Sequence, residues 1–328
     1  MNQFANALAI GIDIGGTSIK CGFLDETGRI LHRFSTPLDK RKPQEETIDS
    51  LISLVLEEIS KEGYEKRDFL GIGIGCPGAI DREKGICEFA GNLDFRNLSI
   101  VEPFEKRTNL PIRLLNDANA AMLGEARFGA GKSYQNLILL TLGTGVGGGI
   151  YLEGRLYEGN KGQGAELGYM IIEKGGRPCT SGLFGTLETY ASATALIKQT
   201  KIAMEKHPES SLWEAAGGDL EKIGTREVFV SAKQGDETAK EVLSSYEDDL
   251  AIGLVNYCNI FRPDAIILGG GISGQRDELV KPLEERLAKM NYGFPGAPIV
   301  KILVSSLGND AGMIGAAESV REMLQAKR

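Results

Sequence analysis

Two glycine-rich turns stand at matching places in two halves of the chain, and each joins a pair of short apolar runs. The first turn is Asp13–Thr17 and the second is Leu142–Gly149. Strands that flank a turn with few side chains expose a cluster of backbone N–H groups, and such a concavity binds phosphate oxygens. One such turn in each half predicts two lobes that hold one polyphosphate between them.

Two aspartates stand where apolar runs end. Asp13 stands where the first apolar run meets the first turn, and Asp117 follows Asn116 where a short strand, Ile112–Leu115, meets a predicted helix. Phosphoryl transfer to a hydroxyl needs a carboxylate beside the nucleophilic oxygen, and Mg²⁺ takes one or two carboxylates while keeping several waters. Each aspartate also fits a structural role, a turn residue for Asp13 and a helix N-cap for Asp117.

Composition limits the class of protein. The chain has 328 residues, enough for two domains, with 42% hydrophobic and 25% charged residues. The net charge of −8 without a long basic run argues against a nucleic-acid or anionic-membrane surface. The five cysteines are scattered and show no metal-site or disulfide spacing. The start of the chain has no signal-peptide pattern, so a reducing cytoplasm is the expected location.

Periodicity predicts an α/β protein whose second half repeats the plan of the first. Each half gives three adjacent hairpin-linked strands followed by alternating helices and strands. The predicted strands of this repeat are 8–14, 19–25 and 29–35 in the first half and 137–142, 147–152 and 155–157 in the second. The predicted lobes are 1–117 and 118–310, with a closing helix within 311–328 that returns to the first lobe.

The glycine turns do not fit a dinucleotide-binding (Rossmann) fold. In that fold the glycine turn opens a helix. Here both turns lead into β-like residues, Ile19–Phe23 and Ile150–Leu152.

Seven segments in order resemble the sugar-kinase branch of the ROK (repressor, open reading frame, kinase) family of the actin/hexokinase-like superfamily, with a general similarity to bacterial glucokinases. The resemblance covers nearly the whole chain, and its segments are Gly11–Thr17, Gly75–Gly78, Asn116–Glu125, Leu142–Gly149, Gly164–Gly168, Leu268–Ser273 and Leu307–Gly312.

The resemblance implies two actin-like (ribonuclease H-like) lobes with an interlobe active-site cleft. It implies a hexose kinase that uses ATP and Mg²⁺, and the favoured reaction is the conversion of glucose to glucose 6-phosphate. A kinase for an N-acetylhexosamine, allose, fructose or a β-glucoside stays open, as does a non-catalytic sugar sensor or a ROK regulator without a DNA-binding domain. A homodimer or higher homo-oligomer is also implied.

The family's functional residues carry over onto matching positions of this chain. Asp117 is the expected general base, and Asp13 is expected to orient Mg²⁺ through water. The expected sugar contacts are Asn92, Asn116, Asp117, Glu166, Tyr169 and Glu188. The expected phosphate-side residues are Gly15, Gly16, Thr17, Gly143, Thr144 and Gly145, and the expected nucleoside-side residues are Gly269, Gly270 and Gly271.

One departure from the family pattern is plain. Most members have a His and three Cys that bind a structural Zn²⁺, whereas the matching positions here hold Tyr169, Cys179, Ser181 and Thr186. A tetrahedral site needs four protein ligands, so no zinc site is predicted. The missing imidazole also contacts sugar in the family, which leaves the choice of sugar open.

Lys20 matches nothing essential in the family and is expected to be a solvated strand residue.

Overall fold

The computed structural model describes residues 7–290, 292 and 300–326. The chain forms two compact units. The first is Met1–Ser133, Gly149–Ala165 and Ser306–Arg328, and the second is Tyr134–Gly148 and Glu166–Ser305. The lobe limits drawn from the sequence stay a prediction, and the last two residues of the closing segment lie outside the described residues.

The regular elements alternate along the described chain. The strands are β1 (Leu8–Ile14), β2 (Ser18–Leu24), β3 (Ile30–Pro37), β4 (Phe69–Cys76), β5 (Ala79–Asp81), β6 (Ile86–Ala90), β7 (Phe95–Ser99), β8 (Ile112–Asn116), β9 (Leu137–Leu142), β10 (Val146–Leu152), β11 (Arg155–Tyr157), β12 (Ala265–Gly269) and β13 (Lys301–Val304). The α-helices are α1 (Gln44–Lys61), α2 (Val101–Thr108), α3 (Asp117–Phe128), α4 (Glu188–Ala191), α5 (Ala193–Lys206), α6 (Leu212–Ala215), α7 (Thr225–Lys233), α8 (Glu237–Phe261), α9 (Asp277–Met290) and α10 (Ala311–Ala326). None of the helices in this part of the chain has both the length and the apolar character that a bilayer span requires.

The first sheet has the strand order β3-β2-β1-β4-β8. Its first three strands are antiparallel neighbours, whereas β1–β4 and β4–β8 are parallel pairs. The register sets Asp13 opposite Lys20 on one side and opposite Gly75 on the other, and it sets Cys76 opposite Asn116. The carboxyl ends of β1, β4 and β8 therefore meet at one edge of the sheet.

The second sheet repeats this plan with the order β11-β10-β9-β12-β13. The pairs β9–β12 and β12–β13 are parallel, and β10–β11 is antiparallel. Gly269 lies opposite Thr141, so the end of β12 lies beside the end of β9, where the second glycine turn begins. The repeated three-strand hairpin pattern predicted from the sequence is confirmed.

A third sheet, with the order β5-β6-β7, was not predicted. Its strands have only three, five and five residues. Runs that short carry too few alternations for a period to be recognised. The sheet matters because the turn between β6 and β7 carries Asn92.

The core of the first unit lies between its main sheet and α1. The sheet contributes isoleucines that are fully buried, among them Ile10, Ile12, Ile72 and Ile74, and α1 contributes Ile52. These positions alternate along the strands and recur at helical spacing in α1, as amphipathic elements require.

Helix α10 packs on β1, β4 and α3 at distances that only glycine allows. A Cβ atom at Gly73 would lie 1.7 Å from the carbonyl oxygen of Ala316, and one at Gly11 would lie 2.1 Å from that of Met313. On the helix side, a Cβ atom at Gly315 would lie 1.7 Å from the carbonyl oxygen of Ala120. Backbone therefore packs directly on backbone along this helix.

We expect Gly315→Ala to lower the free energy of unfolding by about 1–3 kcal/mol or more, because the added methyl group overpacks the contact of α10 with α3. Gly274→Ala is the matched control, since a Cβ atom at Gly274 meets no atom within 4 Å. The measurement is chemical denaturation of both variants. A Gly315→Ala protein within 0.5 kcal/mol of the parent, roughly the range of neutral surface changes, contradicts the close packing.

Glu318 on α10 gives a prediction for pH. Burial, followed by the charge of Glu322, raises the pKa of Glu318 from 4.5 to about 7. The folded protein thus binds this proton more tightly than the unfolded chain does, and the stability that the proton contributes is lost as pH rises from about 5 through 7. We expect Glu318→Gln to remove about 1–3 kcal/mol of that decline. Parallel pH–stability curves for parent and variant contradict the raised pKa.

Candidate active site

The predicted site residues fall into two sets, one in each unit. In the first unit Asp13 is the last residue but one of β1 and lies beside the first turn of α10. A Cβ atom at Gly312 would lie 3.0–3.1 Å from the carboxyl atoms of Asp13, so glycine lets the carboxylate rest against the start of that helix. The positive end of a helix dipole favours a negative charge at this place.

Other charged groups around Asp13 set its ionisation. Burial, followed by the charge of Asp117, raises the pKa of Asp13 from 3.8 to about 6; Lys20 opposes this shift and Asp310 adds to it. The negative charges of Asp117 and Asp310 disfavour an ionised Asp13, and a divalent cation would relieve that repulsion. Hard carboxylate oxygens are the ligands that Mg²⁺ prefers, so the residues present fit a magnesium ion.

Asp117 is the first residue of α3, and its neighbour Asn116 is the N-cap. The Asn116 Oδ1 atom accepts from the N–H groups of Ala118 at 2.9 Å and Asn119 at 3.3 Å, and its Nδ2 atom donates to the carbonyl of Gly78 at 3.2 Å. The capping role that competed for Asp117 in the sequence therefore belongs to Asn116. Most of the polar capacity of Asn116 is engaged in this way, which limits what it can offer a sugar.

The Asp117 carboxyl group is half-buried, and it accepts from the N–H of Ala118 at 2.9 Å. Burial raises the pKa of Asp117, and the hydrogen bond from Ala118 partly opposes the shift. A carboxylate with a raised pKa is a better proton acceptor than an exposed one. Asp117 can therefore serve as a general base.

The first glycine turn leaves room beside its backbone. The Gly15 N–H closes the turn by donating to the carbonyl of Ser18 at 3.0 Å. A Cβ atom at Gly16 would meet nothing within 4 Å, and Thr17 is exposed. The space at Gly16 and Thr17 is where a phosphate group can approach the turn.

Asn92 lies on the exposed turn between β6 and β7. Its backbone carbonyl accepts a hydrogen bond from Lys40 Nζ at 2.7 Å. The side chain is accessible to a ligand, and its predicted contact with sugar stays a prediction.

In the second unit the two predicted nucleotide elements lie together. Gly270 has φ of 82°, and a Cβ atom there would lie 2.4 Å from the carbonyl oxygen of Leu142, the first residue of the second turn. The Gly143 N–H closes that turn by donating to the carbonyl of Gly145 at 3.0 Å. Cβ atoms at Gly143 and Gly271 would meet nothing within 4 Å, so both backbones border open space. Thr144 is exposed on the turn, and Gly269 is buried at the end of β12.

The predicted sugar residues of this unit form one electrostatic group. Burial, followed by the charges of Glu188, Glu166 and Cys179, raises the pKa of Tyr169. Glu166 and Tyr169 are exposed at the two ends of a short 3₁₀ segment. The Glu188 carboxylate is engaged by the second turn, because its Oε2 atom accepts from the Val146 N–H at 3.0 Å.

The four positions that match zinc ligands have different surroundings. Ser181 is exposed, whereas Thr186 is fully buried, and its hydroxyl has no partner among the described residues. The Cys179 Sγ atom lies 3.7 Å from Glu188 Oε1. The absence of a zinc site stays a prediction.

Two residues that the sequence did not single out belong to these sites. Lys20 is half-buried opposite Asp13, and its Nζ atom donates to the carbonyl of Asn309 at 3.3 Å, so it is not simply a solvated strand residue. The hairpin around the first turn could have shown this, because pairing of β1 with β2 sets these two positions face to face. Val146 gave no such signal, since its role rests on one backbone N–H.

Comparison with known proteins agrees with these features. The ROK family profile matches residues 9–323. The glucokinase of Thermotoga maritima is 37% identical over 317 residues, which cover 96% of this chain and 98% of that protein. The glucokinase of Streptomyces coelicolor is 36% identical over 319 residues, with coverage of 96% and 98%.

The crystal structure of a ROK family glucokinase from Streptomyces griseus in complex with glucose and AMPPNP aligns with a TM-score of 0.82. The two proteins are 34% identical, and the alignment covers 96% of this chain and 100% of that one. The predicted α/β class and actin-like fold are thereby confirmed. The repeated sheets, the two glycine turns and a profile match over nearly its whole length show that this chain belongs to the ROK family.

Proposed function

We propose that this protein is an ATP-dependent glucokinase that transfers the γ-phosphoryl group of ATP to glucose and forms glucose 6-phosphate. The observation that carries the proposal is the half-buried Asp117 carboxyl beside Asp13, left available because Asn116 caps α3. Glucokinases that are 36–37% identical over 96% of the chain support the same reaction.

Asp117 is the base in this proposal. Its carboxylate takes the proton of the attacking sugar hydroxyl while the new bond from that oxygen to the γ-phosphorus forms. The bond from the γ-phosphorus to the bridging oxygen breaks, and ADP leaves. The raised pKa of Asp117 suits this role, because a base works best when its pKa lies nearer the working pH.

Asp13 and Lys20 handle charge on the phosphate side. Asp13 would hold Mg²⁺ through water, and a bound Mg²⁺ neutralises charge on the phosphates. The Lys20 ammonium lies on the same strand pair, opposite Asp13. It adds a fixed positive charge where a phosphoryl group carries negative charge.

The second unit contributes the other contacts. The turn Gly143–Gly145 offers backbone to the phosphates, and Gly269–Gly271 let the nucleoside lie against backbone. The carboxylates of Glu166 and Glu188 accept hydrogen bonds from sugar hydroxyls, the Tyr169 hydroxyl accepts or donates one, and Asn92 adds a further contact.

The decisive experiment is a coupled ADP-release assay over glucose, N-acetylglucosamine, N-acetylmannosamine, mannose, fructose, allose and β-glucosides. Turnover with glucose above the others supports the proposal. Saturable sugar binding without turnover on any sugar would instead support a sugar sensor.

The scattered free cysteines, four of them buried, suit a reducing cytoplasm as the place of this reaction. The homo-oligomer that the family resemblance implies is tested by light scattering in solution.

We expect Asp117→Ala to lower kcat about 10²–10⁴-fold, because the proton of the attacking hydroxyl loses its acceptor. Nucleotide affinity should change little. Asp219→Ala is the control, since Asp219 caps a short helix in the second unit. Unchanged turnover in Asp117→Ala removes Asp117 from the role of base.

We expect Lys20→Met to lower kcat/KM for ATP about 10- to 100-fold, because a fixed charge on the phosphate side is lost. The glucose KM should move far less. Lys240→Met, which removes an exposed lysine of α8 paired with Glu237, is the control. Equal kinetics in the two variants show that Lys20 has no part in the reaction.

A further inference from the structure

We propose that Glu188 is a positioning residue that couples the sugar site to the second glycine turn, so that bound glucose raises the affinity for ATP. This inference rests on the proposed function. It goes beyond sugar contact, because it assigns the two oxygens of one carboxylate to two different tasks.

The first observation is the contact of Glu188 with the turn. Glu188 Oε2 accepts from the Val146 N–H at 3.0 Å, and Val146 is the residue that directly follows Gly145. A Cβ atom at Gly145 would lie 2.2 Å from Glu188 Oε2. Only glycine at this position lets the carboxylate reach the turn.

The second oxygen is available for a different partner. Glu188 Oε1 lies 3.7 Å from Cys179 Sγ, and the weak thiol contact leaves lone pairs that sugar hydroxyls can use. A carboxylate offers about four lone-pair positions. Glu188 can therefore accept from Val146 through one oxygen and from a sugar through the other.

Val146 is also contacted from the other predicted sugar segment. A Cβ atom at Gly168 would lie 2.1 Å from the Val146 carbonyl oxygen, so the segment between Glu166 and Tyr169 packs on that carbonyl. Both peptide groups of Val146 thus touch elements that carry expected sugar ligands.

The start of the turn is held by residues close to Glu188 in sequence. The Ala193 N–H donates to the carbonyl of Gly143 at 2.8 Å, and the Thr194 hydroxyl donates to the carbonyl of Thr144 at 2.8 Å. Residues 188–194 therefore contact both ends of the turn. A sugar that fixes Glu188 also restricts the backbone that faces the phosphates.

The consequence is a coupling of two affinities. If sugar bound at Oε1 stabilises the phosphate-binding shape of the turn, nucleotide affinity rises, and nucleotide must raise sugar affinity by the same factor. Nucleotide bound without sugar would meet a less ordered turn, which lowers wasteful hydrolysis of ATP.

The test measures AMPPNP affinity by calorimetry with and without saturating glucose, in the presence of Mg²⁺. We expect glucose to tighten AMPPNP binding about 5- to 10-fold in the parent, at the lower end of typical coupling between sites. In Glu188→Gln the ratio should fall below about 2, because the amide presents an NH₂ group in place of the second oxygen, and that group cannot accept the hydrogen bond that a sugar hydroxyl donates to the carboxylate. Asn92→Ala is the matched control, which weakens glucose binding but keeps the ratio once glucose is saturating.

A second variant, Gly145→Ala, displaces the Glu188 carboxylate from Val146 and leaves both carboxylate oxygens in the chain. It should lose the coupling even if Glu188→Gln binds glucose too weakly to saturate. Thermal melts confirm that each variant is folded.

A parent without coupling, a ratio kept in both Glu188→Gln and Gly145→Ala, or a ratio lost equally in Asn92→Ala overturns the proposal. Glucose turnover is measured on the same samples. Turnover without coupling between glucose and nucleotide affinity contradicts this inference alone. The absence of turnover with any sugar contradicts the proposed function as well.

Discussion

The close contact of α10 with β1, β4 and α3 is the constraint on which the first unit depends. Glycines at 11, 73 and 315 let backbone meet backbone, which buries the helix more deeply than side-chain packing allows. Because the helix axis is fixed this closely, its first turn comes to rest at Asp13. A single packing requirement therefore places a helix terminus beside the carboxylate that the chemistry needs.

The electrostatics of this site follow from the same geometry. The ends of parallel strands bring Asp13 and Asp117 to one edge of the sheet, where burial and mutual repulsion raise the pKa of Asp13. Lys20 opposes that shift, and Arg33 forms a two-pronged ion pair with Asp310, which lowers the pKa of Asp310. A bound cation would therefore reduce the repulsion between these acidic groups. Arg33 does not neutralise Asp13, because it is paired with Asp310.

The second unit depends on a different constraint, the conformation of a turn that has almost no side chains. A glycine run has many accessible conformations, and one hydrogen bond from Gly143 to Gly145 leaves most of them open, so contacts from outside the run are needed to fix its shape. Glu188, Ala193 and Thr194 supply it through hydrogen bonds to the turn and to Val146. The residues expected to contact sugar adjoin these same groups, which links recognition of one substrate to the backbone that faces the other.

The sequence by itself determined the elements and the chemistry classes. Strands β1, β9 and β11 have the limits that periodicity and breakers predicted, because those signals lie within each segment. Only the tertiary structure decided that Asn116 caps α3, that Lys20 is more than a solvated strand residue, and that Glu188 accepts from the N–H of Val146, 42 residues away. Most of these contacts join residues distant in the chain, and their geometry depends on packing that no local pattern encodes.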